Sequence, residues 1–111
     1  MYLPIAHAEG KFVARDERTL DSLLRNGQLV LRFAHDLKTP ASDELLPFPA
    51  NPNGSTRNIA GVCDETGRVL GLMPHPERHV DPTQHPQWTR GEAKEPADGL
   101  KLFQNAVRYF Q

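Results

Sequence analysis

His75 and Glu77 stand two positions apart in "LMPHPERH" (residues 72–79), each directly after a proline. Imidazole is the side chain best suited to take and return a proton near neutral pH. A carboxylate against one ring nitrogen fixes the tautomer and raises the basicity of the other nitrogen, which is what a general base in a catalytic triad requires. Pro74 and Pro76 fix their own φ, and Pro76 pushes His75 toward extended geometry. Side chains 75 and 77 are therefore predicted to point the same way. Arg78, next to Glu77, can set the electrostatics of that carboxylate. An ordinary surface ion pair has the same spacing, and a motif this short does not decide between the two.

A base needs a group to activate. The single thiol, Cys63, closes the apolar run "IAGV" and lacks both the glycine-flanked elbow of a nucleophile and a helix-forming segment directly after it. We read Cys63 as structural, a small buried hydrophobe. "HAEG" repeats the His-x-Glu spacing at His7 and Glu9, and His35, His79 and His85 add further imidazoles. Those residue types suit a divalent metal, but no zinc-finger, His-Glu-x-x-His or EF-hand spacing is present, so no metal is expected. "NPNGS" (51–55) lacks the spacing of a phosphate-binding loop, and turn chemistry accounts for Asn53–Gly54. Arg57, Arg68 and Arg78 are read as solvated rather than substrate-binding.

The elements that must position these groups follow from the pattern. "YLPIAHAEGKFV" (2–13) reads as strand, polar turn and the start of a second strand. In "RDERTLDSLLRNG" (15–27) Leu20, Leu23 and Leu24 share a helix face. Asp16 is the predicted N-cap, Glu17 suits the positive helix end, and Gly27 takes the left-handed position after the C-terminus. "QLVLRFA" (28–34) alternates Leu29, Leu31 and Phe33 against Gln28, Val30 and Arg32, which is strand spacing. Residues 35–52 lose all periodicity and hold Pro40, Pro47, Pro49 and Pro52, a long connection rather than a domain linker. "IAGVC" (59–63) and "RVLGLM" (68–73) flank "DETG", a β-hairpin with Gly67 in its loop. Residues 79–98 are polar, rich in breakers and expected to be mobile. "GLKLFQNAVRYF" (99–110) is an amphipathic helix with Leu100, Phe103, Val107 and Phe110 in one stripe, widened by Leu102 and Ala106, and Asp98 as predicted N-cap. The class is α/β with β-hairpins and two helices. Two helices cannot cover both faces of a parallel layered sheet, so the order looks incomplete.

The bulk numbers set the frame. The chain has 111 residues, 13 basic and 14 acidic, for a formal net charge of -1. Without a basic stripe interleaved with aromatics, nucleic acid is not an expected partner. No apolar run is long enough to span a bilayer, so no membrane partner is expected, and residues 1–20 lack signal-peptide character. One cysteine excludes an internal disulfide framework and suits a reducing compartment; a cytoplasmic location is expected.

Taken together, "LPIAHAEGKFV", "NPNGSTRNIAGVCDETGRVLGLMPHPER" and "DGLKLFQNAVRYF" resemble the C-terminal part of the class I (triad) glutamine amidotransferase domain of phosphoribosylformylglycinamidine synthase. The similarity runs almost end to end and weakens over 35–50 and 79–96. It implies a flavodoxin-like layered domain of which residues 1–111 are one part. It also implies a Cys-His-Glu triad with His75 as base and Glu77 as its orienting carboxylate. The thiolate would attack the glutamine side-chain amide, form a glutamyl thioester and release ammonia to a synthetase subunit or domain. That partner uses ATP and Mg to make formylglycinamidine ribonucleotide; this chain itself needs no cofactor. His7, Glu9 and Arg78 would line the substrate site or the synthetase interface.

The nucleophile-bearing N-terminal part of the family's domain has no counterpart in the chain. The expectation is two of three catalytic groups and no turnover by the chain alone. A separate N-terminal amidotransferase half would be a further partner. The family's His-Gly-Glu-Gly appears here as His7-Ala8-Glu9-Gly10, and Ala8 would be strained by roughly 1 kcal/mol or more if that position needs φ > 0. The alternatives are a non-catalytic assembly module and a small metal-binding protein built on the His-x-Glu pairs.

Overall fold

A computed structural model describes residues 1–8, 10–36, 38–39, 42–93 and 95–111. The chain divides into two compact units, one formed by residues 1–6 with 74–111 and the other by residues 7–73.

In the 7–73 unit, α1 spans Glu17–Arg25. It begins where expected because the Asp16 carboxylate accepts the Thr19 N–H at 2.7 Å, satisfying one of the free donors of the first turn. It ends where expected too, since Gly27 takes φ 67, a conformation that costs glycine little. Leu20 is buried and Leu23 half-buried, whereas Leu24 is exposed, so the packed face is narrower than the pattern implies. β1 (Leu29–Arg32), β2 (Ile59–Cys63) and β3 (Leu70–Leu72) form a three-stranded antiparallel sheet in that order. β2 pairs with β3 through Gly61–Leu72, Val62–Gly71 and Cys63–Leu70. This is the expected hairpin, turned by Gly67 at φ 69. The Asp64 carboxylate accepts the Arg68 and Val69 N–H groups at 2.9 Å and closes its loop.

Three expectations for this unit are corrected. Residues 10–13 are not in a strand: Phe12 donates its N–H to Ser55 Oγ at 3.0 Å and accepts the Thr56 N–H at 3.0 Å. These are single contacts and do not make a ladder. Gln28 is not in the strand, which starts at Leu29, but is buried, with Nε2 donating to the Cys63 carbonyl at 2.9 Å. Arg57 is not simply solvated, because its guanidinium meets Glu17 at 3.0 Å and Asp21 at 3.6 Å on α1.

The NPNGS turn is a buried polar knot, more than turn chemistry alone. Asn51, Ser55 and Asn58 are all buried. Asn58 takes φ 59 and holds the long connection: Nδ2 donates to the carbonyls of Ser42 and Glu44 (3.0 and 2.7 Å), and Oδ1 accepts the Leu46 N–H at 2.9 Å. Among the described residues the non-glycine positive φ values are at Arg57 and Asn58, and Ala8 is not among them.

In the other unit, α2 spans Asp98–Tyr109. Its N-cap is Ala97, not Asp98, because the Asp98 carboxylate is engaged elsewhere, by the Tyr2 N–H and the Lys101 ammonium at 2.8 Å each. The apolar stripe is largely uncovered, with Phe103, Val107 and Phe110 exposed. Residues 79–98 contain short helical turns at Pro82–Gln84 and Trp88–Arg90, the first closed by a capping box on Asp81. Residues 1–6 are not in a strand either; they are held singly by Asp98, His75 and His79. Among the described residues the buried hydrophobic side chains are Leu20, Ile59 and Ala60 in the 7–73 unit and Ala97 in the other, little apolar burial for either. No helix among the described residues is long and apolar enough to cross a membrane.

Candidate active site

His75 follows β3 by three residues and lies in the unit formed by 1–6 and 74–111. Its N–H donates to the Pro4 carbonyl at 2.8 Å. Pro76 then opens a short 3-10 turn, Pro76–Arg78, closed by the Arg78 N–H to the His75 carbonyl at 3.2 Å and the His79 N–H to the Pro76 carbonyl at 3.0 Å. Proline is at home there, since the first helical N–H has no partner to lose. His75 and Glu77 meet because this turn folds Glu77 back, not because an extended strand aligns them. Pro76 acts through helix initiation as much as through its effect on the preceding residue.

The pair is well formed. His75 Nδ1 lies 2.7 Å from Glu77 Oε1, with the histidine side chain 30% exposed and the glutamate 55%. With Nδ1 donating to the carboxylate, the ring's other nitrogen, Nε2, carries the lone pair a base needs. The Glu77 carboxyl is held below its ordinary range, first by its own backbone N–H and then by the His75 ring. Arg78 Nε stands 3.8 Å from the same oxygen and adds a weaker pull in the same direction.

The structure thus brings together His75, Glu77 and Arg78. His7 lies half-buried in the other unit, its carbonyl accepting the Gly10 N–H at 3.3 Å. Glu9 lies outside the described residues. Cys63, a half-buried free thiol, ends β2, with its backbone tied to Gln28 by two bonds of 2.9 Å. Among the described residues no group of three or more His, Cys, Asp or Glu is placed to hold a metal ion.

Sequence reasoning missed His79. Its ring is 3% exposed, its Nδ1 donates to the Tyr2 carbonyl at 2.7 Å, and its centroid lies 5.7 Å from that of His85. The available signal was position, one residue past the turn that carries Glu77. It also missed Gly99, buried where α2 meets that turn.

A model of the CobB/CobQ-like glutamine amidotransferase domain matches residues 1–110. The chain belongs to this family. Within it, the chain is similar to the proteins named phosphoribosylformylglycinamidine synthase subunit PurQ. The PurQ of Dehalococcoides mccartyi is 44% identical over 109 residues, covering 98% of this chain and 39% of that protein. The PurQ of Methanococcus maripaludis strain S2 is 41% identical over 119 residues, covering 98% and 42%. That of Trichormus variabilis is 47% identical over 105 residues, covering 95% and 36%. This amidotransferase chain therefore spans about two-fifths of the length of the curated relatives it matches.

Proposed function

We propose that this chain supplies the general base and its orienting carboxylate to a glutaminase that serves purine biosynthesis. His75 is the base, Glu77 the group that orients it, and Arg78 a modest electrostatic aid. The nucleophile is a cysteine on polypeptide outside these 111 residues, and Cys63 is structural. One observation carries the reading: the 2.7 Å contact between His75 Nδ1 and Glu77 Oε1, in a chain of the glutamine amidotransferase family.

The chemistry follows from the tautomer. Nε2 takes the proton of the cysteine thiol, and the thiolate attacks the carbonyl carbon of the glutamine side-chain amide. The tetrahedral intermediate collapses as Nε2 returns the proton to the leaving nitrogen, giving ammonia and a glutamyl thioester. Water, deprotonated by the same nitrogen, then cleaves the thioester to glutamate and free thiol. Glu77 keeps the ring in one orientation and stabilises the imidazolium formed at each transfer. The ammonia goes to a synthetase subunit or domain that uses ATP and Mg to convert formylglycinamide ribonucleotide to its amidine. The complete domain is flavodoxin-like and layered, the assembly cytoplasmic, and His7 and Glu9 border the substrate site or the synthetase interface.

The test is glutamine hydrolysis by the complete amidotransferase. His75→Asn is expected to lower kcat by about 10²–10⁴-fold, the range for loss of a general base, with Cys63→Ser unchanged. Parental turnover in His75→Asn, or its loss in Cys63→Ser, would overturn the assignment. Alone, the chain is expected to release no ammonia from glutamine.

A second reading, a non-catalytic assembly module, is favoured by the exposed α2 stripe, where Phe103 is 45%, Val107 58% and Phe110 73% exposed. Its occupant would be the remainder of the domain that the relatives carry. Full binding of that remainder by a Val107→Asp, Phe110→Asp protein would remove this reading.

A further inference from the structure

We infer that Gly99 and His79 are positioning residues for the His75–Glu77 pair, locking the Pro76–Arg78 turn against the start of α2 and the first residues of the chain. The inference rests on the reading of that pair as base and orienting carboxylate.

Gly99 is a poor helix former in the first turn of α2, so its presence needs a reason. The reason is not a left-handed backbone, because the glycines with positive φ are Gly27, Gly54, Gly67 and Gly91. It is the space available. A Cβ on Gly99 would fall on the Pro76 carbonyl oxygen and lie 2.6 Å from the His79 oxygen and 2.8 Å from the Pro76 carbonyl carbon. All three are backbone atoms and cannot swing aside as a side-chain tip would. Pro76 is the residue between His75 and Glu77. Any shift of its carbonyl turns the Pro76–Glu77 peptide plane, from which the Glu77 side chain projects, and so moves the carboxylate against the His75 ring.

The turn is held further by His79. Its N–H and carbonyl bond to Pro76 and to the Gly99 N–H, both at 3.0 Å, while its Nδ1 donates to the Tyr2 carbonyl at 2.7 Å. Tyr2 in turn donates its N–H to Asp98 at 2.8 Å, beside Gly99, and the His75 N–H reaches Pro4 at 2.8 Å. The contacts close a ring: Tyr2 to Asp98, Gly99 to His79, His79 back to Tyr2. With the His79 proton on Nδ1, its Nε2 is buried and without a partner among the described residues. The imidazole is a strut, not a second base.

The experiment uses the complete amidotransferase and compares Gly99→Ala, His79→Leu and His79→Asn with the parent. Leu20→Ala, a core truncation in the other unit, controls for general destabilisation. Gly99→Ala is expected to lower kcat for glutamine hydrolysis by about 10–100-fold with KM within about twofold, the signature of misplaced reacting groups. It should also shift the His75 ring-nitrogen resonances in histidine-labelled protein. His79→Leu should do the same. His79→Asn, whose amide can donate in place of Nδ1–H, should recover most of the parental kcat. Leu20→Ala should lower Tm and keep kcat.

A folded Gly99→Ala protein with parental kcat and parental His75 resonances overturns the inference. So does an equal kcat loss in Leu20→Ala. Should Gly99→Ala fail to fold, the two His79 variants decide: equal loss in both refutes a strut, recovery in asparagine alone supports it. If His75→Asn leaves hydrolysis intact, the base assignment is what fails, and the His75 resonances of Gly99→Ala and His79→Leu still decide the positioning.

Discussion

Replacing Asn58 with alanine removes the centre of the polar knot and is expected to be among the costliest single changes in the 7–73 unit. The Asn58 side chain makes four hydrogen bonds: to the Ser42 and Glu44 carbonyls, from the Leu46 N–H, and from Asn51 Nδ2 at 3.0 Å. A typical intramolecular bond contributes about 1 kcal/mol net. The losses here are uneven, however. Ser42 and Glu44 are exposed, so their carbonyls can turn to water, and Asn51 Nδ2 keeps its bond to the Ser55 carbonyl at 3.0 Å. We take about 2–4 kcal/mol for the bonds. Alanine at φ 59 adds roughly 1 kcal/mol that asparagine largely escapes. The sum, about 3–5 kcal/mol, is a large share of the stability of an ordinary domain.

Asn58→Gly separates the two contributions. It loses the same bonds but not the left-handed penalty, so it should be roughly 1 kcal/mol more stable than Asn58→Ala. The assay is urea unfolding of the complete amidotransferase, with midpoints compared at constant m-value. A loss under about 1 kcal/mol for Asn58→Ala would refute the reasoning. So would an alanine variant as stable as the glycine one, which would mean that the left-handed backbone is not what asparagine is there to supply.

Glu77→Gln should lower kcat for glutamine hydrolysis less than His75→Asn, by about 10–100-fold, because glutamine can still accept from Nδ1 but cannot neutralise an imidazolium; a loss exceeding that of His75→Asn would contradict this. The depressed Glu77 carboxyl gives the pH sign. Its contribution to holding the ring is complete above its ordinary 4.5 and is lost only as pH falls through the lower folded value, so the His75 Nδ1–H resonance should persist below pH 4.5, and its loss at or above pH 4.5 would contradict this. Asp64 is held down to about 2 from its ordinary 3.8, first by the Thr66 hydroxyl and next by the Val69 N–H. The stability it confers is complete above 3.8 and disappears as pH falls toward 2; Asp64→Asn should flatten that slope in acid denaturation, and an unchanged slope would count against the hairpin turn as drawn.

Local chemistry made parts of this protein legible from sequence. Asp16 and Gly27 bracket α1 because a cap and a left-handed terminus are decided within a few residues, and "DETG" turns the β2–β3 hairpin for the same reason. His75 and Glu77 could be paired from spacing, because the contact spans two residues. Where the sequence misled, a distant partner had intervened. Asp98 looks like an N-cap, but its carboxylate goes to Tyr2 and Lys101. Residues 2–13 look like strands, but among the described residues their hydrogen bonds to the rest of the chain go singly to Ser55, Thr56, His75, His79 and Asp98.

Pattern placed the candidate base and its carboxylate; the fold decided what holds them. Nothing in "PHPERH" says that the turn is a 3-10 turn, that a glycine twenty-odd positions later must lack a side chain to let it form, or that the next histidine is buried as a strut. Spacing along the chain governs what neighbours can do to one another. Close packing and the pairing of buried polar groups depend on residues that sequence order keeps far apart, so only the tertiary structure could assign them.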